Sequence, residues 1–278
     1  MAKHATIACV KKKLTDTHGD TNPANDTAVI PSFNSSTPQT PQCTTNSDCG
    51  SEQICDNGVC KNKPATNPPA TQNAGNTCFT KNTSGAKRYI PPVNTTGRRY
   101  FWIGDSRMQG MARDEIVGNK PNEGVIAQGS MGHSWFQDTA IPMLNNCLHD
   151  GDVVILAMGA NDIGSTNESA TRGANNYIAT YGDLIRNHPN ITFRILSVNP
   201  VQEQLAKQSG YKLTNTLITK FNNTLQSALN QYWIDTYTPT LPMITALTAG
   251  DGLHYAGGKK SNKIENKIYD TVMSSIGG

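Results

Sequence analysis

Residues 100–108 read Tyr100-Phe101-Trp102-Ile103-Gly104-Asp105-Ser106-Arg107-Met108. An apolar, aromatic run breaks into Gly-Asp-Ser, and a helix-forming segment follows. In an open α/β sheet, a run of this kind ends at the carboxyl edge of a buried strand, and the next side chain stands at that edge. Ser106 is therefore placed where a nucleophile would stand, although Gly-Asp-Ser is also ordinary turn chemistry. The neighbouring segments decide between the two.

Outward from this stretch, the texture from about residue 86 alternates. Residues 100–103, 124–128, 152–158, 191–198 and 232–237 read as strands. Asp152-Val153-Val154-Ile155-Leu156-Ala157-Met158 is the clearest, a continuous apolar run without alternation, as a strand buried on both faces requires. Residues 108–117, 134–148, 170–187, 213–229 and 259–276 read as helices. Leu213, Leu217, Ile218, Phe221, Leu225 and Leu229 recur at helical spacing. Strands alternating with helices imply a parallel sheet covered on both faces.

Three other places bear polar groups at the ends of these elements. Gly129-Ser130-Met131-Gly132-His133 follows the second strand, and a glycine there lets a backbone N–H approach a ligand. Met158-Gly159-Ala160-Asn161-Asp162 follows the third strand, with Gly159 for a sharp turn and the Asn161 amide projecting. Asp251-Gly252-Leu253-His254 precedes the final helix, and its Asp and His, three apart, fit one short turn. Serine, histidine and aspartate supply a nucleophile, a base and an orienter; N–H groups and an amide supply oxyanion donors. Asp105 and Asp162 read as structural, a turn former and a helix N-cap. Trp102 reads as core, and Trp135 as either core or a wall of the cleft. Gly-x-Ser-x-Gly is absent, so a nucleophile elbow is not indicated.

The set Gly104-Asp105-Ser106, Gly132, Gly159-x-Asn161-Asp162 and Asp251-x-x-His254, in that order across some 150 residues, resembles the four sequence blocks of the SGNH (GDSL-type) hydrolases. The resemblance covers about residues 97–278. It implies a three-layer α/β/α sandwich on a five-stranded parallel, flavodoxin-like sheet. It also implies a catalytic triad of Ser106, Asp251 and His254, with an oxyanion hole formed by the Ser106 N–H, the Gly132 N–H and the Asn161 amide. Two departures stand out. The first block reads Gly-Asp-Ser-Arg, which leaves Arg107 to cap or line the site or to contact substrate; His133 and Trp135 are further candidate substrate contacts. The second block lacks its usual Asn-x-Gly lead, which leaves Gly129 as a rival to Gly132. The activity implied is hydrolysis of a small acyl ester, acetyl before others, on a carbohydrate through an acyl-enzyme. The alternatives are a lipase or thioesterase, or an idle carbohydrate- or surface-binding module. No cofactor or metal is implied, and the partner is an acylated small molecule or glycan.

Composition narrows the rest. A net charge of +3 gives no basic field for nucleic acid, and no run of 18 apolar residues encodes a membrane span. Residues 1–42 are Thr-, Asn-, Pro- and Ser-rich and read as a disordered leader or stalk. Residues 43–60 hold Cys43, Cys49, Cys55 and Cys60, with Asp56-Asn57-Gly58 as a turn. That density favours a disulfide module over zinc, since no histidine lies nearby. Such a module binds a surface or acts as a spacer. Residues 61–85 read as a Pro/Asn/Thr-rich linker, and 86–278 as the hydrolase-like domain. Cys78 either bonds Cys147 or leaves it a buried thiol, and Cys9 has no evident mate. The cysteine usage and the weakly charged, polar surface suggest a secreted or cell-surface protein without a clear signal peptide. Asn-x-Ser/Thr acceptors stand at Asn25, Asn34, Asn82, Asn94, Asn167, Asn190 and Asn222.

Overall fold

The structure, a computed structural model, describes residues 78–94, 96–256 and 261–277, residue 48, and the backbone of two short strands near residue 60. The chain divides into two units, Met1–Lys63 and Pro64–Gly278. In the first, β1 (Gln53–Asp56) and β2 (Val59–Asn62) pair antiparallel, with Cys55 opposite Cys60 and Asp56 opposite Val59. The turn read at Asp56-Asn57-Gly58 lies, at Asn57 and Gly58, outside the described residues. The pairing of Cys43, Cys49, Cys55 and Cys60 lies outside the described residues, as do Cys9 and the leader.

The second unit is built on six strands: β3 (Lys87–Ile90), β4 (Tyr100–Gly104), β5 (Glu123–Gln128), β6 (Val153–Ala157), β7 (Thr192–Leu196) and β8 (Trp233–Ile234). Their order is β3-β5-β4-β6-β7-β8, and all pairs are parallel except β3–β5. The five parallel strands thus follow the expected flavodoxin-like order. The sheet crevice opens where that order reverses, between β4 and β6. Strand β3 was not legible, because Lys-Arg-Tyr-Ile has no apolar run and buries only Tyr89.

Helices cover both faces. They are α1 (Ser106–Arg113), α2 (His133–Trp135), α3 (Ile141–Asn145), α4 (Asn167–Asn187), α5 (Glu203–Gln208), α6 (Asn215–Leu229), α7 (Tyr237–Thr240), α8 (Ile244–Leu247) and α9 (Ser261–Ser275). Alternation along the central strands separates two cores. Phe101, Ile103, Val154 and Leu156 pack with Tyr177, Tyr181, Phe221 and Leu225 of α4 and α6. Trp102, Val153 and Ile155 pack with Met108 and Met111 of α1 and Ile264, Ile268 and Val272 of α9. Each such side chain contributes about 1.5–3 kcal/mol by leaving water. Trp102 is fully buried, as expected, and stacks on Tyr269.

Three expectations change. The helix read over 134–148 is interrupted: Pro142 has no N–H to donate, and the ladder ahead of it opens into a π turn, Phe136–Ala140. The fifth parallel strand is shorter than residues 232–237. The Ser197 hydroxyl accepts from the N–H groups of Thr236 and Tyr237 at 2.8 and 2.7 Å and draws the chain out of the sheet. Asn222, read as a glycosylation acceptor, is buried and holds both the N–H and the C=O of Val198, at 2.9 and 3.0 Å.

At the amino ends of the central strands, Arg99 makes a buried two-pronged bond to Asp152, Nε at 3.0 Å and Nη2 at 2.5 Å, and Nη2 also donates to the Cys147 carbonyl at 2.6 Å. Removing one partner of such a pair costs about 3–5 kcal/mol, because the other charge stays buried. Cys147 is bonded to Cys78, the first of the two possibilities above, with Cα atoms 4.7 Å apart. The bond brings residues 78–85, read as the end of a linker, onto the domain, where Phe79 is buried.

This cross-link spans 69 residues, and on chain-entropy grounds it should stabilise the fold by roughly 4 kcal/mol. Urea unfolding of Cys78→Ser beside the parent should show a lower midpoint with an unfolding free energy reduced by up to that amount. Equal midpoints would show that the bond constrains nothing.

Candidate active site

Ser106 is the first residue of α1, directly after β4. Asp105 caps the helix: its Oδ1 accepts from the Arg107 N–H at 3.0 Å. The strand and helix meet so closely that a methyl group on Gly104 would lie 2.4 Å from Met108 Cβ and 3.0 Å from the Ala157 carbonyl. Only glycine fits this approach. The N–H groups of the first helical turn have no intrahelical acceptor, so the Ser106 N–H faces outward beside its own hydroxyl. Burial pushes the Asp105 carboxyl up, against the Arg107 N–H and the nearby positive charges that pull it down.

His254 and Asp251 come from the loop before α9. His254 Nε2 lies 2.9 Å from Ser106 Oγ, and its Nδ1 lies 2.6 Å from Asp251 Oδ2. The other oxygen of Asp251 accepts from the N–H groups of Leu253 and His254, both at 3.0 Å. One carboxylate thus shapes the turn and orients the ring. With Nδ1–H donating to Asp251, Nε2 is left to accept the serine proton. Burial pushes the Asp251 carboxyl up, but the His254 ring and the two N–H groups outweigh it and hold it below its ordinary value.

The second and third loops are tied to each other. The Asn161 amide donates to the Met131 carbonyl at 2.9 Å, which fixes the side chain and leaves its second N–H for a ligand. Asp162 accepts from the His133 N–H at 3.1 Å and from the Tyr177 hydroxyl at 2.7 Å. It does not cap its own helix, as the sequence suggested; Thr166 does that for α4. A methyl group on Gly132 would lie 2.5 Å from Asp162 Oδ1, so this residue must be glycine for the loops to meet. Gly129 lies beside Ser106, but its N–H donates to the Ala86 carbonyl at 3.0 Å. The Gly129 N–H is thus already engaged within the protein. Ser130 between them has φ of +62°, a strained conformation for a residue with a side chain.

The three residues read as candidate substrate contacts are placed otherwise. Arg107 is only 8% exposed, and its guanidinium donates to the carbonyls of Leu253, Asn199 and Pro200. Its inward direction had a signal: residues 107, 108, 111 and 112 form the buried stripe of α1. The His133 ring turns to α4, where Nε2 meets Thr180 Oγ1 at 2.8 Å and the Asn176 carbonyl at 3.1 Å, edge-on to Tyr177. Trp135 packs against the α4–α6 core. Sequence reasoning missed Asn199 and Tyr255, which bond each other at 2.9 Å beneath the site. With Asp105 and Arg107 they line a small, mostly apolar cavity of about 30 Å³.

No family model matches the sequence, and no curated protein matches it. Solved structures do. A Streptococcus pneumonia protein described provisionally as a platelet activating factor aligns over 66% of this chain and 86% of its own, with 18% identity and a TM-score of 0.50. A Bacteroides fragilis protein described provisionally as an acylhydrolase aligns over 67% and 92%, at 15% identity and a TM-score of 0.48. The C-terminal catalytic domain of the Streptococcus pneumoniae peptidoglycan O-acetyltransferase aligns over 65% and 93%, at 15% and 0.45. At these identities the likeness concerns the fold.

The depressed Asp251 carboxyl has a pH signature. Because the folded state favours its ionised form, the contribution to stability is present above the ordinary carboxylate value of 3.8 and is lost as pH falls through the lower folded value. Asp251→Asn should therefore unfold earlier than the parent at neutral pH and approach it below that range, as denaturant midpoints against pH would show. A gap that stays constant into acid would contradict this.

Proposed function

We propose that this chain, whose second unit has the SGNH (GDSL-type) hydrolase fold, is a serine esterase that removes a small acyl group, acetyl first, from a carbohydrate. The observation that carries this reading is the relay Ser106–His254–Asp251, with its two hydrogen bonds of 2.9 and 2.6 Å. As Ser106 Oγ attacks the ester carbonyl, its proton passes to His254 Nε2, and Asp251 stabilises the imidazolium. The Ser106 N–H, the Gly132 N–H and the free N–H of Asn161 receive the developing oxyanion. His254 then gives the proton to the leaving alkoxide, which departs as the alcohol. Water, deprotonated by the same nitrogen, attacks the acyl-serine; the bond from Ser106 Oγ to the acyl carbon breaks, Oγ takes the proton back from His254 Nε2, and the carboxylic acid leaves.

A small acyl group suits the surroundings. His254 and Asp251 are each about one-third exposed, so water has access to an acyl-enzyme at Ser106. The Cys78–Cys147 bond suits an oxidising compartment and so a secreted or cell-surface place of work, where the acylated partner is a glycan or small molecule.

A fluorophosphonate probe should label the parent and not Ser106→Ala, and Ser106→Ala should lose nitrophenyl acetate hydrolysis. Full activity in that variant would end the esterase reading, and absence of labelling in the parent would favour an idle binding module. Asn161 is exposed, so Asn161→Ala should keep its thermal midpoint while turnover falls by about 10²–10³. Across acetyl to long-chain nitrophenyl esters and acetylated sugars, turnover should be greatest for acetate; a preference for long chains would instead indicate a lipase.

A further inference from the structure

Arg107 is covalently next to the nucleophile, yet its guanidinium lies beneath the site. It donates from Nε to Leu253 at 3.1 Å, from Nη1 to Asn199 at 2.6 Å and from Nη2 to Pro200 at 3.2 Å, in each case to the backbone carbonyl. These acceptors belong to two different pieces of chain. Asn199 and Pro200 lie in the segment that continues past β7. Two side-chain amides hold that segment in place of a sheet neighbour. Asn222 bonds both backbone groups of Val198, and Asn215 bonds both backbone groups of Val201 at 2.9 Å. It is a firm anchor, fixed at both ends to α6.

The loop that carries the base has no long element of its own. It is held to the anchor by Gln202 N–H on the Gly252 carbonyl at 2.9 Å and by Asn199 Nδ2 on the Tyr255 hydroxyl at 2.9 Å. Arg107 adds the tie to α1. Because Ser106 adjoins Arg107 and His254 adjoins Leu253, the bond from Arg107 to Leu253 sets the separation of nucleophile and base, across 146 residues of sequence. Proton transfer requires that separation to stay within about 2.6–3.2 Å.

The geometry points to Arg107 as a positioning residue that locks the His254 loop onto the nucleophile's helix. It thereby acts on turnover and not on substrate binding, an inference that rests on the esterase reading above. A planar fork is needed to reach three carbonyls in two segments at once; a lysine ammonium is a single point and reaches fewer of them.

The test compares Arg107→Lys, Arg107→Met and Arg107→Ala with the parent, as full chains. It measures kcat and KM on nitrophenyl acetate, the rate of fluorophosphonate labelling, and the folded fraction by thermal unfolding. A misplacement of about 1 Å costs on the order of 10²-fold in rate. Arg107→Met should therefore lose about that much kcat per folded molecule, and Arg107→Lys somewhat less. KM should stay within about twofold, the mark of an interaction that acts in the transition state. Labelling should slow in parallel, and guanidinium ion should restore part of the activity of Arg107→Ala. Three results would overturn the proposal: parental kcat in Arg107→Lys and Arg107→Met, a rise in KM with kcat unchanged, or a loss of activity that the folded fraction fully accounts for. Ser106→Ala separates the two readings. If it stays active the esterase reading itself has failed, whereas an inactive Ser106→Ala beside a fully active Arg107→Lys removes only the role of Arg107.

Discussion

The contact on which the site depends is the approach of β4, α1 and β6 at Gly104. There is no room for a methyl group between Met108 Cβ and the Ala157 carbonyl. The helix can therefore begin one residue after the strand passes Gly104, with Asp105 as its cap. This brings the open N–H groups and the positive end of α1 to the crevice between the two central strands. A bulkier residue would lever the helix away from the sheet. In a close-packed interior such overpacking typically costs about 1–3 kcal/mol, and here the nucleophile would move with the helix.

The remaining polar groups are held by mutual contacts between loops. Asp162 grips the His133 N–H and the Tyr177 hydroxyl, and Asn161 grips the Met131 carbonyl. On the other side, the Gly129 N–H is fixed on Ala86. Ser130, at φ +62°, sits between these two fixed points. A residue with a side chain in that region costs about 1–3 kcal/mol and persists only where its surroundings over-determine it. The strain is local to the loop between the Gly129 and His133 tethers.

How much of this was legible depends on the range of the interactions. The central strands were readable because a strand buried on both faces must be apolar throughout, as Val153–Ala157 is. Ser106, Asp251 and His254 were singled out through the resemblance of four ordered blocks to the SGNH hydrolases, since Asp251-x-x-His254 by itself reads only as a short turn. Which of its possible places Arg107 takes was not legible, because its acceptors come from segments 92 to 146 residues away. The partner of His133 was out of reach for the same reason: Thr180 lies 47 residues on. The helical spacing of Arg107 with Met108, Met111 and Ala112 was the one local clue that its side chain points inward. The edge strand β3 offered no clue of that kind, since its partner supplies the order that its own sequence lacks.

The division of labour along the central strands follows from register. At their amino ends, Arg99 and Asp152 form a buried pair with two hydrogen bonds, and Arg99 also holds the carbonyl of the disulfide-bonded Cys147. At their carboxyl ends stand Ser106 and Asn161. Between these ends, β4 and β6 run in parallel register from Tyr100 opposite Val153 to Gly104 opposite Ala157. A charged pair tolerates no slip, because sliding one strand would leave two ions buried apart from each other. A slip of one residue would also turn every side chain of β4 to the other face of the sheet, exchanging Phe101 and Ile103 with Trp102 between two differently shaped cores. The ion pair and the divided core thus impose the same register. That register puts Gly104 against the Ala157 carbonyl, and so sets Ser106 on the same crevice as the Asn161 amide.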